Sequence, residues 1–365
     1  MSASMIEESA ARLFADHVDK AVLEKFEAGQ WPHKLWSLLV ENGLTLALAG
    51  ENSGGIAASW SEAYPILRGL GYWQVPLPLA ETMVASLMLS RAGLAIPEGA
   101  IALIDEQQAL GLKQGADGTW SGKAKSVPWA RYCRWALLSS SDGLALFDIA
   151  TDDRSMGSGV VTLIHRTNTA LEPIDEVGFA NVPSVCGAAN PFAKLSNPLL
   201  SFGALCRSAM MVGAMEWLLE QSVQYAKDRV QFGKPIGRNQ AIQQSLALMT
   251  GEVSASRMAA MVACADAPGI DSQDYGSALF SIAVAKVRVG EAATRSASIA
   301  HQVHGAIGFT YEHALNFATR RLWAWREAYG ADAWWAQRLG EAAIVGGGAG
   351  FWPSITERRF DRLVV

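Results

Sequence analysis

The sequence predicts an α+β protein in three successive parts: a helical domain over residues 1–97, an antiparallel β domain over 98–193 and a four-helix bundle over 194–365. Three observations carry this reading. In the first part, apolar residues recur at three- and four-residue spacing, the period of a helix with one buried face. From Ile101 to about Ala189 the chain changes to short apolar runs separated by Gly, Asp, Ser and Pro, the pattern of strands and tight turns. Beyond Leu195, long apolar-rich stretches return with few breakers. A chain of 365 residues can bury the large shared surfaces that such an arrangement needs.

Taken in order, residues 11–23 and 32–41 read as amphipathic helices, and Ser61-Glu62 opens another over 63–69. Residues 51–55 form a Gly-rich turn, and Val75-Pro76-Leu77-Pro78 is an extended connector, because proline drives its predecessor out of the helical region. A helix over 83–93 ends at glycine. Strands are expected at 101–104, 135–138, 144–147 and 159–164, with hairpin turns at Asp117-Gly118 and Asp142-Gly143. The bundle helices are drawn over 198–228, 239–267, 275–303 and 312–344, with Ala209, Gly213 and Ala214 small enough for close helix approach. The glycine-rich run 346–351 reads as flexible. Trp31, Trp36, Trp217, Trp323 and Trp325, among 13 tryptophans, are expected to pack in cores or between subunits.

The net charge is −5 and no basic run is interleaved with aromatics, which argues against a nucleic-acid partner. The N-terminus has acidic residues and no apolar core of a secretion signal. The most apolar stretch, 203–219, is interrupted by Arg207 and Glu216, so no membrane span is expected. Four scattered cysteines fit neither a disulfide framework nor a zinc site, and a reducing cytoplasm is the simplest location. His301, His304 and His313 lack the carboxylate or cysteine that would complete a metal shell.

Two segments carry chemistry. Arg229-Val-Gln231-Phe232-Gly233-Lys-Pro-Ile-Gly237, followed by Gln240, sits between two helices. Its arginine presents a planar fork suited to gripping a pyrophosphate, and its glycine permits a backbone bend. Gln302-Val-His-Gly305-Ala306-Ile-Gly-Phe309 again lies between helices, where glycines let backbone amides approach phosphate or ribose. Together these segments resemble the flavin-nucleotide site of the acyl-CoA dehydrogenase family, and the order of the three parts is similar to that family's fold. The resemblance covers nearly the whole chain. It implies an FAD cofactor and α,β-desaturation of an acyl-CoA thioester. Arg229, Gln231, Phe232 and Gly233 would hold the pyrophosphate and adenine half of FAD across a subunit interface, and Gln240 would also touch it. Gln302, Gly305 and Ala306 would lie along the adenosine diphosphate, with Ala306 where the family usually has a second glycine.

The family removes the substrate α-proton with a glutamate at one of two places, and such a base contributes on the order of 10²–10⁴-fold. The positions that match are Tyr329 and Gly203, and neither is acidic. On a continuous helix Glu327 would face away from position 329, Asp332 could share its face, and Glu216 and Glu220 would be solvated or paired with Lys227. The stretch 103–111 does not match the loop that cradles the flavin ring in the family. The chain therefore resembles the short subunit of heteromeric α2β2 acyl-CoA dehydrogenases of bacterial steroid side-chain and other bulky acyl-CoA catabolism. That resemblance implies a longer homologous partner carrying the glutamate and the flavin loop. Two alternatives stay open: a self-sufficient homo-oligomer with an unusual base such as Asp332, and a non-catalytic structural partner. No catalytic residue is assigned within the chain.

Overall fold

The computed structural model describes residues 3–359 and 363, apart from 110, 141–142, 151–158, 196, 273–274 and 276. Helices α1 (Ala3–His17), α2 (Lys20–Glu27), α3 (His33–Glu41), α4 (Trp60–Tyr72) and α5 (Leu79–Arg91) come first. α4 starts earlier than Ser61-Glu62 suggests. Ser59 is its N-cap, accepting from the Glu62 amide while the Glu62 carboxylate accepts from the Ser59 amide, which satisfies two donors that a helix start leaves unpaired. α5 is buried at every position from Leu79 to Leu89.

Strands β1 (Ile101–Ile104), β2 (Lys113–Gln114), β3 (Thr119–Pro128), β4 (Trp135–Ser140), β5 (Gly143–Asp148), β6 (Val160–Ile164), β7 (Ile174–Pro183) and β8 (Cys186–Ala188) form two four-stranded sheets, ordered β1-β4-β5-β8 and β2-β3-β7-β6. Their facing sides bury Ile104, Ala124, Val127, Leu138, Phe147, Val177 and Phe179. The β2–β3 turn falls at Asp117-Gly118, with the Asp117 carboxylate accepting from the Thr119 amide. β4 and β5 pair Ser140 with Gly143, while Asp142 of the second expected turn lies outside the described residues. The expectation of a wholly antiparallel domain needs one correction, because β1 and β4 run parallel. Their connection passes through β2 and β3 in the other sheet, and a crossover of that kind returns the chain in its original direction.

The bundle follows: α6 (Pro198–Asp228), the small hairpin β9 (Val230–Gln231) and β10 (Lys234–Pro235), α7 (Gln240–Asp266), α8 (Ala278–His304), α9 (Leu315–Glu327) and α10 (Asp332–Thr356). α6 is long and apolar enough to cross a membrane, and that apolar window is entirely buried among the other elements. It crosses α4 at backbone contact distance. A Cβ on Gly213 would stand 1.9 Å from the Arg68 carbonyl oxygen, and one on Gly71 1.7 Å from that of Met210, so neither position accepts a side chain.

Two expectations about the C-terminal region fail. The stretch drawn as one helix over 312–344 is two, because Ala328 is extended and Tyr329 and Gly330 take left-handed φ of 55° and 83°. Buried Lys286 fixes the break by donating to the Trp325 and Arg326 carbonyls at the end of α9 (3.3 and 2.6 Å). The glycine-rich run 346–351 is helical within α10, with a single interruption at Gly347 (φ 70°).

Candidate cofactor site

α6 ends at Asp228, and Arg229 leaves the helix with its amide still bonded to the Tyr225 carbonyl (2.9 Å). The chain then makes the β9–β10 hairpin, whose tip is Phe232 (φ 52°) and Gly233 (φ 78°). Phe232 is 100% exposed, an unusual position for a large apolar ring unless another molecule covers it. α8 ends at His304, and Gly305 turns the chain with φ 61°. The fold brings these two termini together around a cavity of about 400 Å³, lined by Arg229, Gln231, Phe232, Lys234, Gln302, Gly305 and Ala306 among others. Of the residues singled out in the sequence, Gly233 sits at the hairpin tip and Gln240 opens α7, both outside the cavity lining.

The chemistry of this cavity suits an anion. Two cations line it and no carboxylate does. Among the described residues, no side chain pairs with the guanidinium of Arg229 or the ammonium of Lys234. An unpaired arginine beside a lysine fits a phosphate or pyrophosphate, which accepts paired charge-assisted hydrogen bonds.

A second cavity of about 1000 Å³ opens between the β domain and the bundle, lined in part by Asp105, Gln107, Gln108, Thr167, Asn168, Trp323, Glu327 and Tyr329. Beside it, Gly203 and Tyr329 meet. A Cβ on Gly203 would stand 2.3 to 2.5 Å from three atoms of the Tyr329 ring. Tyr329 is buried, its hydroxyl has no hydrogen-bond partner, and burial drives its pKa well above the usual phenol value. Arg207, one turn along α6 from Gly203, forms a buried ion pair with Glu81 of α5, its guanidinium 5.6 Å from the Tyr329 ring centre.

The carboxylates fall differently from the expectation of a continuous helix. Asp332 begins α10, bonds Arg326 at 3.0 and 3.1 Å and shares no face with Tyr329, because the break intervenes. Glu327, the last residue of α9, lines the larger cavity together with Tyr329, which the break after it redirects. Glu216 pairs with Arg68 (2.6 Å) and Arg257 (3.5 Å), not with Lys227, and Glu220 accepts from the Tyr72 hydroxyl. Sequence reasoning missed Asp105, buried on the cavity wall, where desolvation raises its pKa while the Gln108 and Gln107 amides oppose that rise. Its signal was available: an aspartate directly after the apolar run 101–104 stands at a strand end. Trp323, expected to pack in a core or between subunits, is 42% exposed in the single chain and lines the same cavity.

Comparison with known proteins defines the class. Residues 194–344 match the model of the acyl-CoA dehydrogenase C-terminal domain. The chain is similar to acyl-CoA dehydrogenase IpdE2 of Mycobacterium tuberculosis, 27% identical over 326 residues that span 87% of this chain and 89% of the relative. In fold it is similar to a chain of the ChsE4–ChsE5 complex of Mycobacterium tuberculosis (TM-score 0.75, 20% identity, 93% of this chain and 96% of that one). It is also similar to a chain of a Tcur3481–Tcur3483 steroid ACAD variant (TM-score 0.79, 22% identity, 95% and 98%). The helical domain, paired sheets and helical bundle are the acyl-CoA dehydrogenase fold. Residues 194–344 thus carry an acyl-CoA dehydrogenase C-terminal domain, and most of the chain is similar to acyl-CoA dehydrogenases in sequence and in fold.

Proposed function

We propose that this chain is one subunit of an FAD-dependent acyl-CoA dehydrogenase that desaturates an acyl-CoA thioester between Cα and Cβ. Its contribution is a nucleotide grip: Arg229 and Gln231 with Phe232 on the hairpin, and Gln302 with the Gly305–Ala306 backbone opposite. Gly233 and Gln240 support it from the hairpin tip and the α7 start. FAD, when bound, supplies the acceptor for the β-hydrogen as hydride. A homologous, longer partner supplies the loop around the flavin ring and the base that takes the α-proton.

The observation that carries this reading is the contact of Tyr329 with Gly203. The two places where the family's base is expected converge in space, and an aromatic ring fills the room between them. A carboxylate at either position would displace that ring. Support for a shared site comes from the fully exposed Phe232 beside unpaired cations, and from the similarity to a chain of a two-component complex. A bulky acyl group such as a steroid side chain is consistent with the similarity to a steroid enzyme. The four cysteines are free, as a reducing cytoplasm would keep them.

The test is the flavin-to-chain ratio. Purified alone, the chain is expected to carry almost no FAD, and co-expression with a longer paralogue to restore a yellow complex. One FAD per chain in the protein alone overturns the shared-site reading.

A second reading rests on Glu327, a carboxylate on the wall of the larger cavity. There the chain is a self-sufficient homo-oligomer using Glu327 as base. Glu327→Gln would then abolish turnover with flavin retained, whereas the first reading expects turnover of the complex to persist.

A further inference from the structure

Between the two halves of the nucleotide grip lies a group of rings that neither motif contains as a functional residue. Tyr225 sits on α6 one turn before Arg229 and is tied to it by the Arg229 amide. Its ring stacks on His304, the last residue of α8 (centres 4.5 Å apart, planes 26° apart). The edge of His304 in turn meets His313 (4.8 Å, 61°). His304 is buried at 3% exposure.

The hydrogen bonds set the protonation states. His304 Nδ1 lies 2.8 Å from the Ala300 carbonyl oxygen, so it carries the proton. His313 Nδ1 accepts from the Leu315 amide (3.1 Å), so it carries none. His313 thereby caps the start of α9, satisfying a donor left over at the helix terminus. A proton on His313 Nδ1 would set N–H against N–H and release that cap. The segment from Gly305 to Ala314 would then be held at this end by the bonds of Asn316 to the Thr310 and His313 carbonyls and of Lys20 to the Glu312 carbonyl.

We propose that Tyr225, His304 and His313 form a positioning latch that holds the two halves of the grip in register only while both imidazoles are neutral, so that acid loosens nucleotide binding. This rests on the nucleotide-site reading given above. The titratable and charged groups around the latch are Tyr225 from α6, His301 from α8, Lys20 from α2, and Arg229 and Lys234 on the wall of the same cavity. Lys20 donates to the Glu312 carbonyl (3.1 Å) and is paired with Glu24 (3.2 Å). Among the described residues, no carboxylate is hydrogen-bonded to either ring. A proton added there meets cationic neighbours and an apolar stack.

The direction of the pH effect follows. Burial holds both imidazoles below the ordinary value of 6.5; at His304 the Ala300 bond opposes this in part, and at His313 the Lys20 charge adds to it. The closed latch therefore binds protons less readily than the open one. Its contribution is complete above pH 6.5 and declines as pH falls through the depressed folded values, by up to about tenfold in affinity per pH unit for each proton taken up.

The experiment uses the flavin-loaded assembly that contains this chain. Flavin retention is followed from pH 8 to pH 5.5 by release of free-FAD fluorescence, each protein normalised to its own value at pH 8. The wild type is compared with His313→Asn, whose amide oxygen can accept the Leu315 amide without titrating, and with the double variant His304→Phe/His313→Asn, which also keeps a ring on Tyr225. The wild type is expected to lose flavin more readily at pH 5.5, by up to about tenfold for each proton taken up, and the double variant to stay within about twofold of its pH 8 value. Equal falls in wild type and both variants overturn the latch. Hydrogen exchange over 305–315 in the flavin-free assembly, corrected for intrinsic pH dependence, provides a readout independent of flavin. Acid opening in the wild type and not in His313→Asn supports the latch, and identical opening in both overturns it. Arg229→Ala distinguishes the underlying reading: normal flavin retention in that variant at pH 8 removes the nucleotide site itself, while the exchange result still decides the latch.

Discussion

The two ends of α6 differ in a way that divides the molecule. At its C-terminal end Arg229 is exposed, unpaired and beside another cation, at the mouth of a cavity with no carboxylate on its wall. At its N-terminal end the space is full: the Tyr329 ring lies on Gly203, and Arg207 is neutralised by Glu81 in the core. Charge without a partner at the surface costs little, because water solvates it, and it is available to a ligand. Charge in the core must be matched within the chain. One end is therefore built for an external group and the other is closed upon itself.

Substitutions that separate the ends should separate stability from cofactor binding. The largest effect is expected for Glu81→Ala, which strands Arg207 in the core and should cost about 3–5 kcal/mol in denaturant unfolding. Replacing both partners by apolar residues of similar volume should recover most of that loss. Gly203→Ala drives a methyl group into the Tyr329 ring and should cost about 1–3 kcal/mol, and in a Tyr329→Ala background, which itself costs more, the added cost of Gly203→Ala should fall toward zero. Equal stability of Gly203→Ala and wild type would show that the ring moves aside freely, and the closed-site argument would fail.

Arg229→Ala should do the reverse. Unfolding should shift by no more than about 0.5 kcal/mol, as for other exposed positions. Flavin affinity of the assembly should fall about 10- to 100-fold, the effect of losing charged hydrogen bonds of about 1.5–3 kcal/mol. A separate signature is the pH dependence of Lys286, whose pKa burial lowers to about 7, against the pull of Asp332 and Glu327. The unfolded chain binds this proton more tightly, so stability should rise as pH increases from 7 toward the ordinary value of 10.5, and Lys286→Met should flatten that rise. Smallest is Tyr329→Phe. The buried hydroxyl has no partner, so its removal should leave stability unchanged or raise it by up to about 1 kcal/mol.

Much of the fold was legible because local pattern and tertiary role coincide. The α6 helix matches the stretch drawn over 198–228, with Pro198 at its first turn and Asn197 as its cap. Gly213 stood out as a close-approach residue, and the α4–α6 crossing requires it. The break at residues 328–331 was only partly legible. Gly330 offered a stop signal within 312–344, but the interruption also depends on Lys286, distant in sequence, binding the last carbonyls of α9. That error moved Glu327 and Asp332 to the wrong faces. The parallel β1–β4 pair was hidden for a similar reason, since strand direction depends on which sheet the intervening strands join.

By itself the sequence determined the α+β class, the long core helix, and the positions of two turn-forming segments, one opening on Arg229 and one closing at Gly305. Each of these follows from periodicity and from residues whose backbone preferences act over a few neighbours. Only the tertiary structure decided that those segments share one cavity, that Tyr329 fills the space over Gly203, and that Glu327 rather than Asp332 reaches the larger cavity. Those outcomes depend on which side chains occupy the same volume, and excluded volume acts between atoms that are close in space however far apart they stand along the chain.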